Sequence, residues 1–469
     1  GQFFTSGGGY EIDQSIRFAT SSSGYMERTP GSASNRKTWT WSCWLKRTAF
    51  ATLAGSTDAV LFGADAGSSN YFQIRFKYNT DQLKVDSSSI SGDLTWTPNY
   101  RDPSAWYHIV FILDTTESTT ADRAKLYVNG EQITDTSPSN YPTLNADLPV
   151  NNNIQHDIGR LSYVPAHTFE GYLAEINFID GLALAPTSFG ETNDDGVWIP
   201  KAYAGSYGTN GFYITGATAG DLGEDFSGNN NDWTSTGLDT ADQVTDSPTE
   251  NYATYLPLYG AVSYPATFSN GNLTAAGAGS TGKAALASIG PTTGKFYSEF
   301  TLDAVGTAVL CRVGVSAVAN LNDPLMFSSG EFAPQINSVH YFANGTRRLN
   351  NSDTSSWGST FTNADVIGVA YDADTGKIWF AKNNTWQASG DPAAGSDPAA
   401  TLTTGVPFYF NNQIFNNTWT ADFGQSGFEY TPPTGFNALN TANLPTPVIT
   451  DGSKYFQTTL YTATGSALE

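Results

Sequence analysis

Residues 364–387, ADVIGVAYDADTGKIWFAKNNTWQ, constrain the fold more than any other stretch of the chain. DVIGVAYD and KIWFAKN are rich in β-branched and aromatic residues, and the ADTG between them is turn-forming. The pattern predicts a buried antiparallel hairpin closed by a short turn. Period-two alternation recurs elsewhere. TWTWSCWLKR (38–47) sets Trp39, Trp41, Cys43 and Leu45 against polar Thr, Ser and Lys, the mark of a strand with one buried face. NYFQIRFKY (70–78), WYHIVFILD (106–114), AKLYVNGEQI (124–133) and FEGYLAEINFIDGLAL (169–184) follow, with Gly, Asn, Asp, Ser and Pro in the gaps.

Composition agrees with an all-β protein. Only 14% of the 469 residues are charged, while 28 Phe, 24 Tyr and 11 Trp supply a large aromatic core. The length suggests more than one domain. With 22 Lys+Arg against 44 Asp+Glu, the net charge is −22, which argues against a nucleic-acid partner. No run approaches the roughly 18 apolar residues of a membrane span, so membrane insertion is not expected. No signal peptide is visible, although the chain begins at Gly1. Cys43 and Cys311 lie far apart inside apolar runs and read as buried free thiols.

The chain divides into four parts. Residues 1–195 carry the short strands above. Residues 196–258 form an acidic extension and linker; the stretch 191–250 holds 11 acidic residues against Lys201 alone. A second strand-rich unit spans 259–443. The tail, 444–469, contains KYFQTTLY, a lone strand pattern expected to pair with another chain or with a further domain.

Two resemblances attach to this division. Trp106, His108 and Val110, then Leu126-Tyr127-Val128-Asn129-Gly130, then Phe169, Gly171, Glu175 and Ile176 follow in order the motifs of laminin-G-like, concanavalin-like domains. That resemblance implies two curved sheets packed face to face, a fold that serves glycan binding, protein binding and glucan hydrolysis alike. In 259–443, GKFYSEFTLD (294–303), CRVGVS (311–316), HYFANG (340–345), the hairpin, VPFYFNNQ (406–413) and FGQSGFEYTPPTGFNAL (423–439) resemble the SPRY domain, a non-catalytic interaction module. The expected fold is therefore all-β, with two β-sandwich (jelly-roll) domains in tandem, laminin-G/concanavalin-like and then SPRY-like.

Catalytic chemistry is sparse. Glucanases of the concanavalin-like fold carry Glu-x-Asp-x-x-Glu on a strand, which places nucleophile and acid on one face. The nearest match is Glu11-Ile12-Asp13, where Ile16 stands in place of the last carboxylate. Glu170 and Glu175 are five apart, which on a regular strand puts them on opposite faces. His108 reads as a satisfied core residue, and His156, His167 and His340 do not make a zinc pattern. No nucleophile elbow or phosphate loop occurs. No catalytic, cofactor-binding or metal residue is assigned, no enzyme activity is expected, and the ligand-binding residues stay unassigned. GEDFSGNNND (223–232) clusters Asx oxygens, which reads first as a turn and leaves weak Ca2+ binding open, since some laminin-G-like domains hold calcium at a rim. Trp96, Trp233, Trp357 and Trp386 sit in polar contexts and are the candidate sugar-stacking platforms, with plugs at the sandwich ends as the alternative.

The tandem, joined by DFSGNNNDW (225–233) and DSPTENYATYLPL (246–258), resembles large structural proteins of marine bacteriophages. That resemblance implies a non-enzymatic virion protein, a tail fibre, receptor-binding or capsid-decorating protein on the particle surface. Its partners would be other virion proteins and a host-surface glycan or protein, and its state a homo-oligomer with a trimer favoured. A secreted or surface bacterial adhesin that binds glycans is the alternative. A polysaccharide-cleaving enzyme is disfavoured by the missing carboxylates.

Overall fold

The computed structural model describes residues 9–19, 24–50, 58–90, 93–258, 266–277, 283–306, 311–317, 337–350 and 352–446. The KYFQTTLY segment of the tail lies outside them. Alternating apolar residues on short strands drive two sheets together in each half, because each sheet has one face that must leave water.

In the first half, one sheet runs in the spatial order Glu131–Ile133, Ala124–Val128, Trp106–Asp114, Thr38–Arg47, Gly171–Asp180, Ser15–Phe18 and Gln243–Val244, with Phe212–Ile214 also pairing Gly171–Asp180. The facing sheet runs Thr136–Ser139, Asp93–Asn99, Gln82–Ser87, Tyr71–Phe76, Ala59–Asp65, Gln155–Ile158, Tyr25–Arg28 and Thr234–Thr236. Trp39, Trp41, Cys43 and Leu45 enter the core between them, meeting Phe62, Phe72, Ile74, Phe111 and Phe178. The acidic segment is thus woven into the first sandwich, giving strands to both of its sheets.

One expectation is corrected here. Thr38–Arg47 is buried along both faces from Trp39 onward, not along one. Its second face, with Trp44, packs beside Trp106, Tyr172 and Ala174 beneath Ile12, Trp198 and Val244. Farther along the same sheet, Val110, Ile112 and Ile179 are covered by Phe189, with Tyr203 and Tyr207 packed against them. Residues from the leading segment and the acidic segment therefore form a third layer.

In the second half, one sheet runs Thr267–Ser269, Thr274–Ala276, Thr418–Asp422, Lys295–Ala304, Val366–Asp372, Lys377–Lys382 and Thr385–Trp386. The other runs Lys283–Leu286, Phe408–Ile414, Arg312–Ala317, Ser338–Phe342, Arg347–Leu349 and Ser352–Thr354. The diagnostic hairpin forms as read: Asp372 pairs with Lys377, leaving Ala373–Gly376 as the loop. Asp372 Oδ1 accepts from Asp374 N at 3.1 Å and Thr375 N at 3.2 Å, which is how an Asx residue fixes a tight turn. Both cysteines are buried and free.

The two halves meet at DSPTENYA. Lys46 Nζ donates to Asp246 Oδ2 (2.8 Å), Asn251 Oδ1 (2.8 Å) and the Tyr252 carbonyl (2.9 Å), with both charged side chains fully buried. Trp106 Nε1 and Tyr252 N donate to the other oxygen, Asp246 Oδ1, at 3.2 Å each. Across the joint, Thr245 N donates to the Gln425 carbonyl (3.1 Å) and Tyr172 Oη to the Gly271 carbonyl (2.7 Å).

Candidate functional site

The second sheet of the first sandwich turns an unusual face away from the core. Strand pairing brings Asp93, Asp86, Gln73, Gly63, Asp157 and Glu27 into one row across six strands. A second row holds Thr95, Lys84 and Arg75. These are the polar alternates of the apolar residues that fill the core, and they pair with each other. Arg75 grips Asp86 with two hydrogen bonds (3.1 and 3.0 Å) and also contacts Asp58, while Lys84 reaches Asp93 at 2.7 Å. Bidentate guanidinium–carboxylate pairing in a desolvated setting is stiff as well as strong.

The chain segment after Gln155–Ile158 crosses this face. Leu161 lies over Gly63, where a Cβ would sit 2.7 Å from its Cδ1. Asp157 Oδ2 accepts from Ser162 N (2.8 Å), and Asp65 Oδ2 accepts from Ser162 Oγ (2.6 Å) and Tyr163 N (3.3 Å). Arg160 donates to Glu27 at 3.1 Å. Burial raises the Asp157 carboxyl above its ordinary range, and burial chiefly lowers His167. The charged rows are thus mostly covered, and their role is to hold the crossing segment.

That segment presents a ring. Tyr163 is 47% exposed and stacks on Tyr71, with ring centroids 6.2 Å apart and an interplanar angle of 23°. Ser88 and Ser89 are exposed at the turn beside Tyr71, whose N–H donates to Ser88 Oγ at 3.1 Å. A fixed aromatic face bordered by hydroxyls suits a ligand with one C–H face and a ring of hydroxyl groups.

The tryptophans singled out from the sequence are elsewhere. Trp96 and Trp233 are 2% exposed and belong to the core. Trp357 is half-buried against Tyr341 and Phe380, and Trp386 against Tyr297. None of the four is an open platform. Tyr163 escaped notice because LSYVPAH (161–167) has no periodicity to mark it.

In the Asx-rich loop, Asp225 Oδ1 accepts from Tyr213 N and Ser227 N, and Oδ2 from Ser227 Oγ and Asn231 N, all at 2.8 Å. Its lone pairs hold the turn. Among the described residues no cluster of three or more His, Cys, Asp or Glu is placed to hold a metal ion, and no helix is long and apolar enough to cross a membrane.

The carboxylates nearest to the glucanase motif are separated. Glu11 and Asp13 are exposed and precede the strand that begins at Ser15. Glu170 and Glu175 do not follow strand parity, because Glu170 precedes Gly171–Asp180 and Glu175 sits at a bulge with φ +52°. Glu175 accepts from Tyr213 Oη (2.7 Å) and Tyr10 Oη (3.1 Å), and burial pushes its carboxyl up to about 6. The spacing Glu175-x-Asn177-x-x-Asp180 repeats the motif with two substitutions, which the sequence reading missed. Asp180, however, accepts from Asn35 N, Asn151 Nδ2 and Asn210 N, in a network apart from the tyrosines. His108 is buried: Trp198 Nε1 donates to Nδ1 at 3.0 Å, so Nε2 carries the proton toward Ser42 Oγ at 2.9 Å, and burial lowers its pKa to about 3.

Residues 20–187 match a family model, Laminin_G_3, described as the concanavalin A-like lectin/glucanases superfamily. A solved SPRY domain of human HERC1 is 20% identical, covering 33% of this chain and 91% of that one at a TM-score of 0.24. A Bacteroides ovatus protein described as a candidate carbohydrate-binding protein is 15% identical, covering 48% of this chain and 58% of that one at 0.30. A heptameric SAP-like pentraxin from Limulus polyphemus is 13% identical, covering 39% and 76% at 0.25. The architecture is all-β, two β-sandwiches in tandem, of which the first carries the match to the concanavalin A-like family model.

Proposed function

We propose that this protein is a non-enzymatic glycan-binding protein that acts at the surface of a bacteriophage particle. The observation that carries the glycan reading is the Tyr71–Tyr163 stack, whose outer ring is 47% exposed on a segment pinned by Asp65 and Asp157. Pinning lowers the ordering cost that a flexible loop would impose on binding. The matched lectin/glucanase model spans both tyrosines, and the locked carboxylates support binding without cleavage. A glycan array probed with the whole chain, alongside Tyr163→Ala, tests this reading. Binding to a defined glycan that the variant loses by about tenfold or more is expected, the size of one aromatic contact. Absence of glycan binding, or cleavage of the bound glycan, would refute it.

The virion part rests on the tandem architecture and on the phrases DFSGNNNDW and DSPTENYATYLPL, which resemble those of marine phage structural proteins. The buried joint at Asp246 favours a stiff connection between the two sandwiches, which suits a fibre or decoration, with residues 260–440 available to contact another virion protein or the host. Light scattering at two salt concentrations is expected to give a salt-resistant homo-oligomer, with a trimer favoured. Antibody labelling of purified phage particles, seen by electron microscopy, decides location. Labelling absent from particles and present on bacterial cells would favour an adhesin instead.

A further inference from the structure

A cleft of about 600 Å³ opens at the lateral edge of the first sandwich, beside the edge strand Thr234–Thr236 and the turn that leads to Gln243–Val244. It lies outside the 20–187 match and is built wholly from the acidic segment. Its walls are amphipathic. Leu222 and Trp233, each 2% exposed, reach it from the core, and Leu238 packs against that core beside them. Asp221, Asp232 and Asp239 line it as well and are exposed.

Among the described residues no basic side chain lines the cleft. Arg28, which hydrogen-bonds Asn231, lies within electrostatic reach of Asp225 and Asp232. Among the described residues neither Asp221 nor Asp239 has an ion-pair partner in the lining. Asp239 is fixed in place, since its Oδ1 accepts from Ala241 N at 2.8 Å and so caps the short turn Thr240–Asp242. A second observation stands apart from these charges. The wall contains two buried polar atoms with no partner, Nε1 of Trp233 and Oγ of Ser235. Buried donors are nearly always satisfied in folded proteins, so these two are the donors a ligand's oxygens would engage.

We propose that this cleft binds a small organic cation with an apolar C–H face, of the amino-sugar class. A protonated amine would sit at the rim between Asp221 and Asp239, where attraction is moderate and sensitive to salt. The ring's C–H face would lie along Leu238, the half-buried apolar residue of the lining, and its hydroxyls would accept from Trp233 Nε1 and Ser235 Oγ once those side chains shift. The volume falls within the range of small-ligand pockets. This site is separate from the Tyr71–Tyr163 stack and does not rest on it.

Isothermal titration of the whole chain with glucosamine, N-acetylglucosamine and glucose tests the proposal, because the three share a ring and differ in charge. Glucosamine is expected to bind at low salt at least about tenfold more tightly than the two neutral sugars, a difference that added salt erodes. Asp221→Asn and Asp239→Asn should each weaken glucosamine several-fold while leaving the melting temperature unchanged, since both side chains are exposed and Asn also caps turns. Tyr163→Ala should leave this binding intact, which separates failure here from failure of the glycan reading. Equal affinity for charged and neutral sugars, no glucosamine binding, or indifference to both carboxylate variants would overturn the proposal.

Discussion

At the scale of single residues, polar groups are buried against aromatic rings: His108 against Trp44 and Trp198, and Glu175 against Tyr10 and Tyr213. His108 was legible as a core residue because it sits among Tyr107, Ile109 and Val110 in an apolar strand. Trp96 was not legible as buried: its neighbours Thr95 and Thr97 look solvent-facing, yet the strand Asp93–Asn99 turns Leu94 and Trp96 to the core. Glu175 was hidden by its bulge, which breaks the parity that a strand pattern assumes. Its environment makes a pH prediction. Burial raises its carboxyl from 4.5 to about 6, so the folded protein takes up this proton before the unfolded chain does. The stabilising contribution is complete below the unfolded value and is lost as pH rises through about 6, leaving a penalty of about 2 kcal/mol at neutral pH. Glu175→Gln should therefore melt higher than the natural protein near neutral pH, with the gap closing as pH falls toward 4.5. A gap that stays constant with pH would mean that this carboxyl is not held in the raised state.

Elements were read more faithfully than residues, since their signals are local. The hairpin at 366–382 needed only its own β-branched runs and the Asx-Gly turn between them. Tyr127-Val128-Asn129-Gly130 behaves similarly: Val128 pairs with Glu131, and both turn residues take positive φ, +50° and +83°, as a two-residue hairpin loop requires. What the local pattern does not carry is the cover on an outer face. Trp44 stacks on His108, which Trp198, more than a hundred positions away, covers in turn, and no periodicity near Trp44 announces that partner. The same turn shows the connection. A Cβ on Gly130 would lie 2.5 Å from the Trp198 ring, so Gly130→Ala would strain the turn and push at the third layer together. A loss of about 2 kcal/mol in chemical denaturation is expected. A change within about 0.5 kcal/mol, the range of ordinary surface substitutions, would show that the third layer yields at no cost.

For the whole molecule, the acidic segment is the part whose role the sequence left least defined. Its 11 acidic residues suggested an extension and linker, while its strand contributions are two or three residues long, too short for a pattern to register. DSPTENYA proves to be a joint: Asp246 and Lys46 form a fully buried ion pair with every remaining donor and acceptor engaged nearby. Removing one member of such a pair strands the other charge. Lys46→Met is expected to cost about 3–5 kcal/mol, and Lys46→Met with Asp246→Asn to recover part of it. Small-angle scattering should show the single variant more extended or more variable in domain arrangement than the natural chain. An unchanged profile at reduced stability would place the pair in the first sandwich's own fold and not in the joint.

The glycan reading stands most directly on one ring. The decisive measurement is the dissociation constant of the best glycan from an array, determined for the natural chain and for Tyr163→Ala under identical salt. Because Tyr163 is 47% exposed, the variant should keep its melting temperature and lose about tenfold or more in affinity. Equal affinity in a properly folded variant would contradict the assignment of the Tyr71–Tyr163 stack as the binding surface.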